Sequence, residues 1–414
     1  MPSEPSEPRG ELDERIHEAI AAEREPMARL TERLVSCPTE NPPGRGYLKC
    51  LEVLSEELEK LGFRPEVALV PGESTDSDHP RYWLRAELGG EGRPIYFHGH
   101  YDVVPAQHPD SQFVPLTGDK VIRGRGTSDM KGGLVAMIYA MKALAELGCP
   151  LPGPIVLNAV PDEETGGARG SEALGEAGLL FEPEARGMLT AEPTSGRVWH
   201  ASRGAITMEV RVRGRAAHVG LQHLGVNAFE ATLPLVADLM KLKNQVESRR
   251  TALVVEPAAA AHSIMMMGGV SSSGENFNVV PALFRFSLDR RFNPEEDLET
   301  EKLALLEILE RHRAGGLDVE ADIFQLARSA NVSDEARLAR ALDASIREVT
   351  GKKARFEMCP GILEIRFYAE AEIPAFAYGP GLLSVSHGAE EFVHRADIAT
   401  AARVYALTAA TAES

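Results

Sequence analysis

Cysteine is scarce in this chain. The four cysteines, Cys37, Cys50, Cys149 and Cys359, are scattered through 414 residues, and none stands in C-x-x-C spacing. That excludes a disulfide framework and a thiolate metal cluster, and it fits reduced thiols in a cytoplasmic protein. Positive charge is outweighed. Forty-four Lys and Arg face 62 Asp and Glu, a net charge of −18. A field of that sign opposes binding to nucleic acid or anionic membrane, which attach to positive faces. It does not exclude a small anionic substrate, because a few Arg side chains dominate at short range. No apolar run approaches the roughly 18 residues of a membrane span. Internal repeats are absent. The first ten residues hold no apolar segment of the signal-peptide kind and read as a disordered tail.

What is present is ordinary for a globular protein: 43% hydrophobic and 26% charged residues. A chain of this length exceeds what one core supports, so two domains are expected. Helical apolar spacing runs over 11–36, with Pro26 as the expected break, and again over 47–62. Strands are expected at Arg81–Leu88, Arg93–His98, Pro154–Val160 and Gly187–Ala191, with a long apolar helix at Gly132–Leu147. Alternating strands and helices predict an α/β domain with a mainly parallel or mixed sheet flanked by helices. The pattern changes near residue 200. Ala205–Val212, Asn227–Lys243, His262–Gly268, Leu283–Arg291, Pro294–His312 and Val319–Phe324 read β-α-β-β-α-β, a ferredoxin-like α+β order. Helix and strand then resume at 334–350 and Ile373–Tyr378, with a last helix from about 389. The expected organisation is one α/β domain, 11–200 and 327–414, interrupted by an inserted domain at 201–326.

The most informative stretch is His98-Gly-His100-Tyr-Asp102, at the end of an expected strand. Side chains alternate along a strand, so residues two apart share a side. A ligating His can thus be held by an outer carboxylate that sets its tautomer. Gly124–Gly133 opens the apolar helix, but its spacing is not that of a phosphate-binding P-loop. Asp129 within it reads alone as a helix cap. Glu163-Glu164 follow the strand at 154–160, Glu192 the strand at 187–191, and His387 precedes the last helix. Each is weak alone. Together His100, Asp129, Glu164, Glu192 and His387 make a mixed imidazole and carboxylate set that suits Zn²⁺ and similar ions. Five ligands are too many for one open zinc site and suit two ions sharing a carboxylate. Glu163 and Glu164 would point in different directions, so one can bind metal while the other acts as general base.

In this order the motifs resemble the M20 family of metallohydrolases, from about residue 27 to the C-terminus. They are Asn41-Pro-Pro-Gly44, Gly99–Pro105, Gly124–Gly133, Glu163-Glu164, Glu192-Pro-Thr194, Gly214-Arg-Ala-Ala-His218, Asn278-Val-Val-Pro281 and His387. The likeness is to the acetylornithine deacetylase, succinyl-diaminopimelate desuccinylase and glutamate carboxypeptidase group. It implies two Zn²⁺ per subunit, with Co²⁺ or Mn²⁺ as substitutes. Asp129 would bridge the ions, His100 and Glu192 would complete one, and Glu164 and His387 the other. Asp102 would orient His100, and His98 is expected not to bind metal. Glu163 would move the proton from a metal-bridged water to the leaving amine. The inserted domain resembles a lid and dimerisation domain whose His218 stabilises the oxyanion in a partner's site. Asn278, Arg291 and Arg366 match positions facing a substrate carboxylate, a task suited to a guanidinium fork. Arg203 is a weaker candidate, equally read as an ion-pair residue. Just ahead of Glu391, where the family often has Asn, stands Glu390.

The expected function is cleavage of the amide of an N-acyl amino acid by a homodimeric enzyme. The alternatives are a metallo-carboxypeptidase or dipeptidase with the same chemistry, and an inactive homologue kept as a binding protein.

Overall fold

The computed structural model describes residues 9–72, 78–274 and 276–412. The tail expected over residues 1–10 lies outside them up to residue 8. Arg9 and Gly10 already belong to a helix. The chain forms two compact units. Unit 1 is Met1–His200, Val332–Phe356 and Glu364–Ser414, and unit 2 is Ala201–Asn331 with Glu357–Leu363.

Unit 1 opens with α1 (Arg9–Ala22), α2 (Arg24–Val35) and α3 (Tyr47–Lys60). The break between the first two falls at Glu23, not at Pro26. Pro26 sits in the first turn of α2, where its missing N–H costs no helix bond. The strands β1 (Glu66–Leu69), β2 (Tyr82–Leu88) and β3 (Ile95–His100) follow, then α4 (Gly132–Leu147), β4 (Ile155–Val160), β5 (Gly187–Thr190) and β6 (Val198–Ser202). Every residue of β3, β4 and β5 is buried, which explains their continuous apolar runs. The start of α4 presses against the end of β5. A Cβ on Gly133 would meet the Ala191 carbonyl oxygen at 2.4 Å, so glycine alone fits there.

Unit 2 is built from β7 (Gly204–Arg213), α5 (Ala228–Glu247), β8 (Ile264–Ser273), β9 (Leu283–Phe292), α6 (Leu298–Ala314) and β10 (Val319–Ala327). Its antiparallel sheet has the order β8-β9-β7-β10, the ferredoxin-like arrangement. Val210, Leu239, Leu288 and Leu309 belong to its core. The second helix starts at Leu298 rather than 294, because the Asp297 side chain caps it through the Thr300 N–H at 2.9 Å.

The chain then completes unit 1 with α7 (Arg337–Thr350), α8 (Ile365–Glu370), β11 (Ala375–Ala377) and α9 (Arg395–Thr411). The last helix begins at Arg395, later than the expected 389. Residues before it leave the helical path because Glu391 turns inward and Phe392–His394 pair with Val121–Arg123. The sheet of unit 1 runs β1-β2-β4-β3-β5-β11-β6. β3 is parallel to β4 and β5, and β5 to β11, while β1, β2 and β6 pair antiparallel. The carboxyl ends of the parallel strands thus share one edge, where ligands gather in such sheets. No helix among the described residues is long and apolar enough to cross a membrane.

Candidate metal centre

Three sheet strands end at this edge with a chemical group. β3 ends on His100, β4 runs into Asp162-Glu163-Glu164, and β5 is followed by Glu192. The loop ahead of α4 adds Asp129, and the loop ahead of α9 adds His387. Asp129 lies between two groups of donors. Its Oδ1 stands 3.1 Å from His100 Nε2, and its Oδ2 stands 3.4 Å from His387 Nε2. Glu192 Oε1 lies 3.8 Å from His100 Nε2, and Glu164 Oε2 lies 3.1 Å from His387 Nε2. Donor atoms of His100, Asp129 and Glu192 fall within 4.8 Å of one another, as do those of Asp129, Glu164 and His387. Donors about 2.0–2.2 Å from a tetrahedral ion stand about 3.4 Å apart. The separations therefore fit two divalent cations, one in each group, and the donor chemistry is that of a metal-binding site.

Electrostatics agrees. Burial alone would lower the His100 pKa, but Asp102 and Asp129 override it and hold the imidazole well above its usual value. Burial pushes Asp129 up, yet His100 and His387 pull it below the ordinary carboxylate range. Glu192 is pushed up to about 8 by burial and the nearby Asp129. Glu163 and Glu164 are raised mainly by burial. His387 is raised to about 11 by Asp129 and Glu164. So many carboxylates in one pocket need positive charge, which protons or divalent cations can supply.

Asp102 acts on both sides of the centre. Its backbone oxygen lies 3.0 Å from His100 Nδ1, and its carboxylate Oδ1 3.5 Å from the same nitrogen. The carboxylate also accepts the Glu163 and Glu164 N–H groups at 3.3 and 3.2 Å. Asn41 Nδ2 donates to Asp102 at 2.9 Å, to Asp162 at 3.2 Å and to Thr165 at 2.9 Å. The Asn-Pro-Pro-Gly motif thus clamps the loop that carries Glu163.

His98 lies apart from the donors. It is buried, with Nε2 at 2.6 Å from Glu364 and Nδ1 at 3.2 Å from the Tyr368 hydroxyl. Arg366 donates to the Gly166 carbonyl at 2.7 Å and lies over the Phe367 ring. Asp129 is not the helix cap, a position held by Lys131. His218, Asn278, Arg291 and Arg203 belong to unit 2. His218 is exposed, its Nδ1 accepting the Gly220 N–H at 3.1 Å, and it pairs in a β-bridge with Val279 beside Asn278. Arg291 is held by Asp289 at 2.6 and 2.8 Å. Arg203 is buried, with its guanidinium on the His262 carbonyl at 2.7 Å.

Two residues escape sequence reasoning. Glu391 accepts the Ser128 and Asp129 N–H groups at 2.9 and 3.1 Å, and Arg125 binds it at 2.6 Å. Arg125 also donates to the His387 carbonyl at 3.2 Å, so this buried pair ties the Asp129 loop to the His387 loop. The only signal was a second acid four residues after His387. Glu391→Gln is expected to weaken metal binding by roughly 10–100-fold, as outer-ligand changes do. Chelator competition reads it, and unchanged affinity would remove Glu391 from that role.

Residues 96–411 match the family profile of peptidase family M20/M25/M40. A succinyl-diaminopimelate desuccinylase of Nitrosomonas eutropha is 29% identical over 393 residues, covering 92% of this chain and 96% of the relative. Human carnosine dipeptidase 1 shares the fold with a TM-score of 0.76 at 17% identity, over 96% of this chain and 98% of that one. A dinuclear metal-binding peptidase of the M20 family from Bacillus subtilis does so with a TM-score of 0.64 at 15% identity, over 94% and 98%.

Proposed function

The chain belongs to peptidase family M20/M25/M40, and on that premise we propose that it is a zinc amidohydrolase of N-acyl amino acids, of the desuccinylase or deacetylase kind. The observation that carries this reading is two donor groups that share Asp129, with the half-buried Glu163 carboxyl near enough to feel the charges of His100, Glu192 and Glu164. His100, Asp129 and Glu192 would hold one ion, and Asp129, Glu164 and His387 the other, with zinc first and cobalt or manganese as substitutes. When bound, such ions supply Lewis acidity at the carbonyl and acidify water. Burial raises the Glu163 carboxyl. That suits a group that takes the proton from the attacking water and returns it to the leaving nitrogen. Asp102 holds His100 and, through the backbone, Glu163 in register. Arg366 would offer its fork to the substrate carboxylate. The test is a panel of N-succinyl-, N-acetyl- and N-formyl-amino acids and dipeptides with zinc-loaded enzyme. Acyl substrates are expected to lead by about tenfold or more in kcat/KM, and preference for dipeptides would overturn the reading.

Unit 2 would serve as a lid and dimerisation domain. Supporting this, β8 is an edge strand with exposed Met266 and Val270, and α5 exposes Phe229, Leu233 and Met240. A homodimer would let His218 and Asn278 serve a partner's site, with Arg291 exchanging Asp289 for substrate. His218→Ala and Glu163→Gln enzymes, each inactive, are then expected to regain about a quarter of wild-type activity when mixed. No recovery in a mixture shown to exchange subunits would count against a His218 acting across the dimer. The four free cysteines support a reducing, cytoplasmic setting.

Metal removal should destabilise the protein more as pH rises. Glu163, Glu164, Glu192, His100 and His387 all have raised folded pKa values, and only Asp129 is lowered. A raised folded pKa gives stability that is complete below the unfolded value and lost as pH climbs to the folded one. For Glu192 that window runs from 4.5 to about 8. Bound ions need deprotonated ligands, so they gain over the same range. The Tm gap between zinc-loaded and metal-free protein is expected to widen from pH 6 to pH 8 by a few degrees. A constant or shrinking gap would contradict it.

A further inference from the structure

A second cavity in unit 1, of about 470 Å³, contains none of the metal-centre donors. Its walls come from the segment after α7, the first turns of α9, and the loops around Ser195 and Gly379–Leu382. Four cations line it, Arg197, Lys352, Lys353 and Arg355, against one carboxylate, Asp397. In a chain of net charge −18 this is a local inversion of sign. Neither Lys352 nor Lys353 has a carboxylate partner among the described residues. Asp397 sits in the first turn of α9, where an acid complements the helix N-terminus, and lies near Tyr378.

A second observation points to a ligand. Tyr378 lines the cavity and is only 5% exposed, yet its hydroxyl has no hydrogen-bond partner among the described residues. The hydroxyl is reachable from the cavity, where it can donate to a polar atom of a bound molecule. The volume is that of a small-metabolite pocket.

We propose that this cavity binds a small multivalent oxyanion, of the phosphate-ester or polycarboxylate class, at a site separate from the metal centre. The lysines and arginines would take the charged oxygens, and the Tyr378 hydroxyl would donate to one of them. The cavity segment Gly379–Leu382 bonds the metal loops. Ser128, next to Asp129, accepts the Leu382 N–H at 3.0 Å, and Thr194, two residues past Glu192, accepts the Gly379 N–H at 3.2 Å. A Cβ on Gly381 would meet Ser128 Oγ at 2.3 Å, so the two segments lie in direct contact. Occupancy on one side is thereby linked to ligand placement on the other.

Calorimetric titration of zinc-loaded enzyme with sulfate, AMP and tricarballylate tests this, the last two separating a phosphate from a carboxylate source. The expected result is saturable binding of at least one probe. That binding weakens by roughly tenfold or more in K352A/K353A, whose lysines are exposed and away from the core. Tyr378→Phe, which removes only the hydroxyl, is expected to weaken it by a smaller factor. Zinc content stays unchanged in both. No saturable binding up to about 10 mM, or equal affinity in K352A/K353A, overturns the site, since the latter result places the anion on the metal centre. Zinc affinity by chelator competition, with and without saturating sulfate, is expected to differ by about fivefold. An unchanged value overturns the link between the two sides of the loop.

Discussion

Glu163→Gln is expected to keep its bound zinc and lose roughly 10²–10⁴-fold in kcat, the usual contribution of a positioned acid–base group. The substitution is close to isosteric, and the loop does not depend on that carboxylate. It is held by Asp102 accepting the Glu163 and Glu164 N–H groups, and by Asn41 bonding Asp102, Asp162 and Thr165. The glutamine amide cannot take a proton, so the attacking water keeps it and the leaving nitrogen goes unprotonated. Burial raises the Glu163 carboxyl, so the acid limb of the wild-type kcat/KM profile is expected above the ordinary carboxylate range. In Glu163→Gln that limb should vanish from the residual activity. Zinc by mass spectrometry and single-turnover rates check both halves. Near wild-type turnover would sink the base assignment, whereas lost zinc would make Glu163 a ligand.

Asp129→Ala should do more. Asp129 is the one residue shared by both donor groups, with one carboxylate oxygen toward each histidine. Its removal leaves His100 with Glu192 and His387 with Glu164, two donors in place of three. Metal content is expected to fall from two ions to fewer than one, and activity by about 10⁴-fold or more. Glu192→Ala and His387→Ala each spare one group and should retain about one ion. His387 is the weaker holder, since its side chain is 53% exposed against 1% for His100. Partial chelation is therefore expected to empty the His387 group first. Far-UV circular dichroism of Asp129→Ala, matched to metal-free wild type, separates lost metal from lost fold. Two tightly bound ions in this variant would refute the bridge.

How much of this was readable beforehand depended on whether a feature is local. The strands before His100, Glu163-Glu164 and Glu192 announce themselves as apolar runs with an abrupt polar end, and strand order makes those ends neighbours. Helix ends were harder. Pro26 looked like a break but fits the first turn of α2, because the backbone cost of proline depends on its position in the turn. Helix α9 starts later than its local pattern predicts because Glu391 and Phe392–His394 answer to partners elsewhere in the chain.

The sequence by itself determined which chemistry is available: two imidazoles and several carboxylates at strand ends, in an order that resembles M20 enzymes, within an acidic chain poor in cysteine. These are properties of residue type and near-neighbour spacing. Only the tertiary structure decided which acid near His387 turns inward, Glu391 rather than Glu390. It also put His98 on Glu364, paired Arg291 with Asp289, and gathered Lys352, Lys353 and Tyr378 around one cavity. Such pairings join segments that packing brings together, and the energy of a charge or hydroxyl depends on whether that packing buries it with a partner or without one.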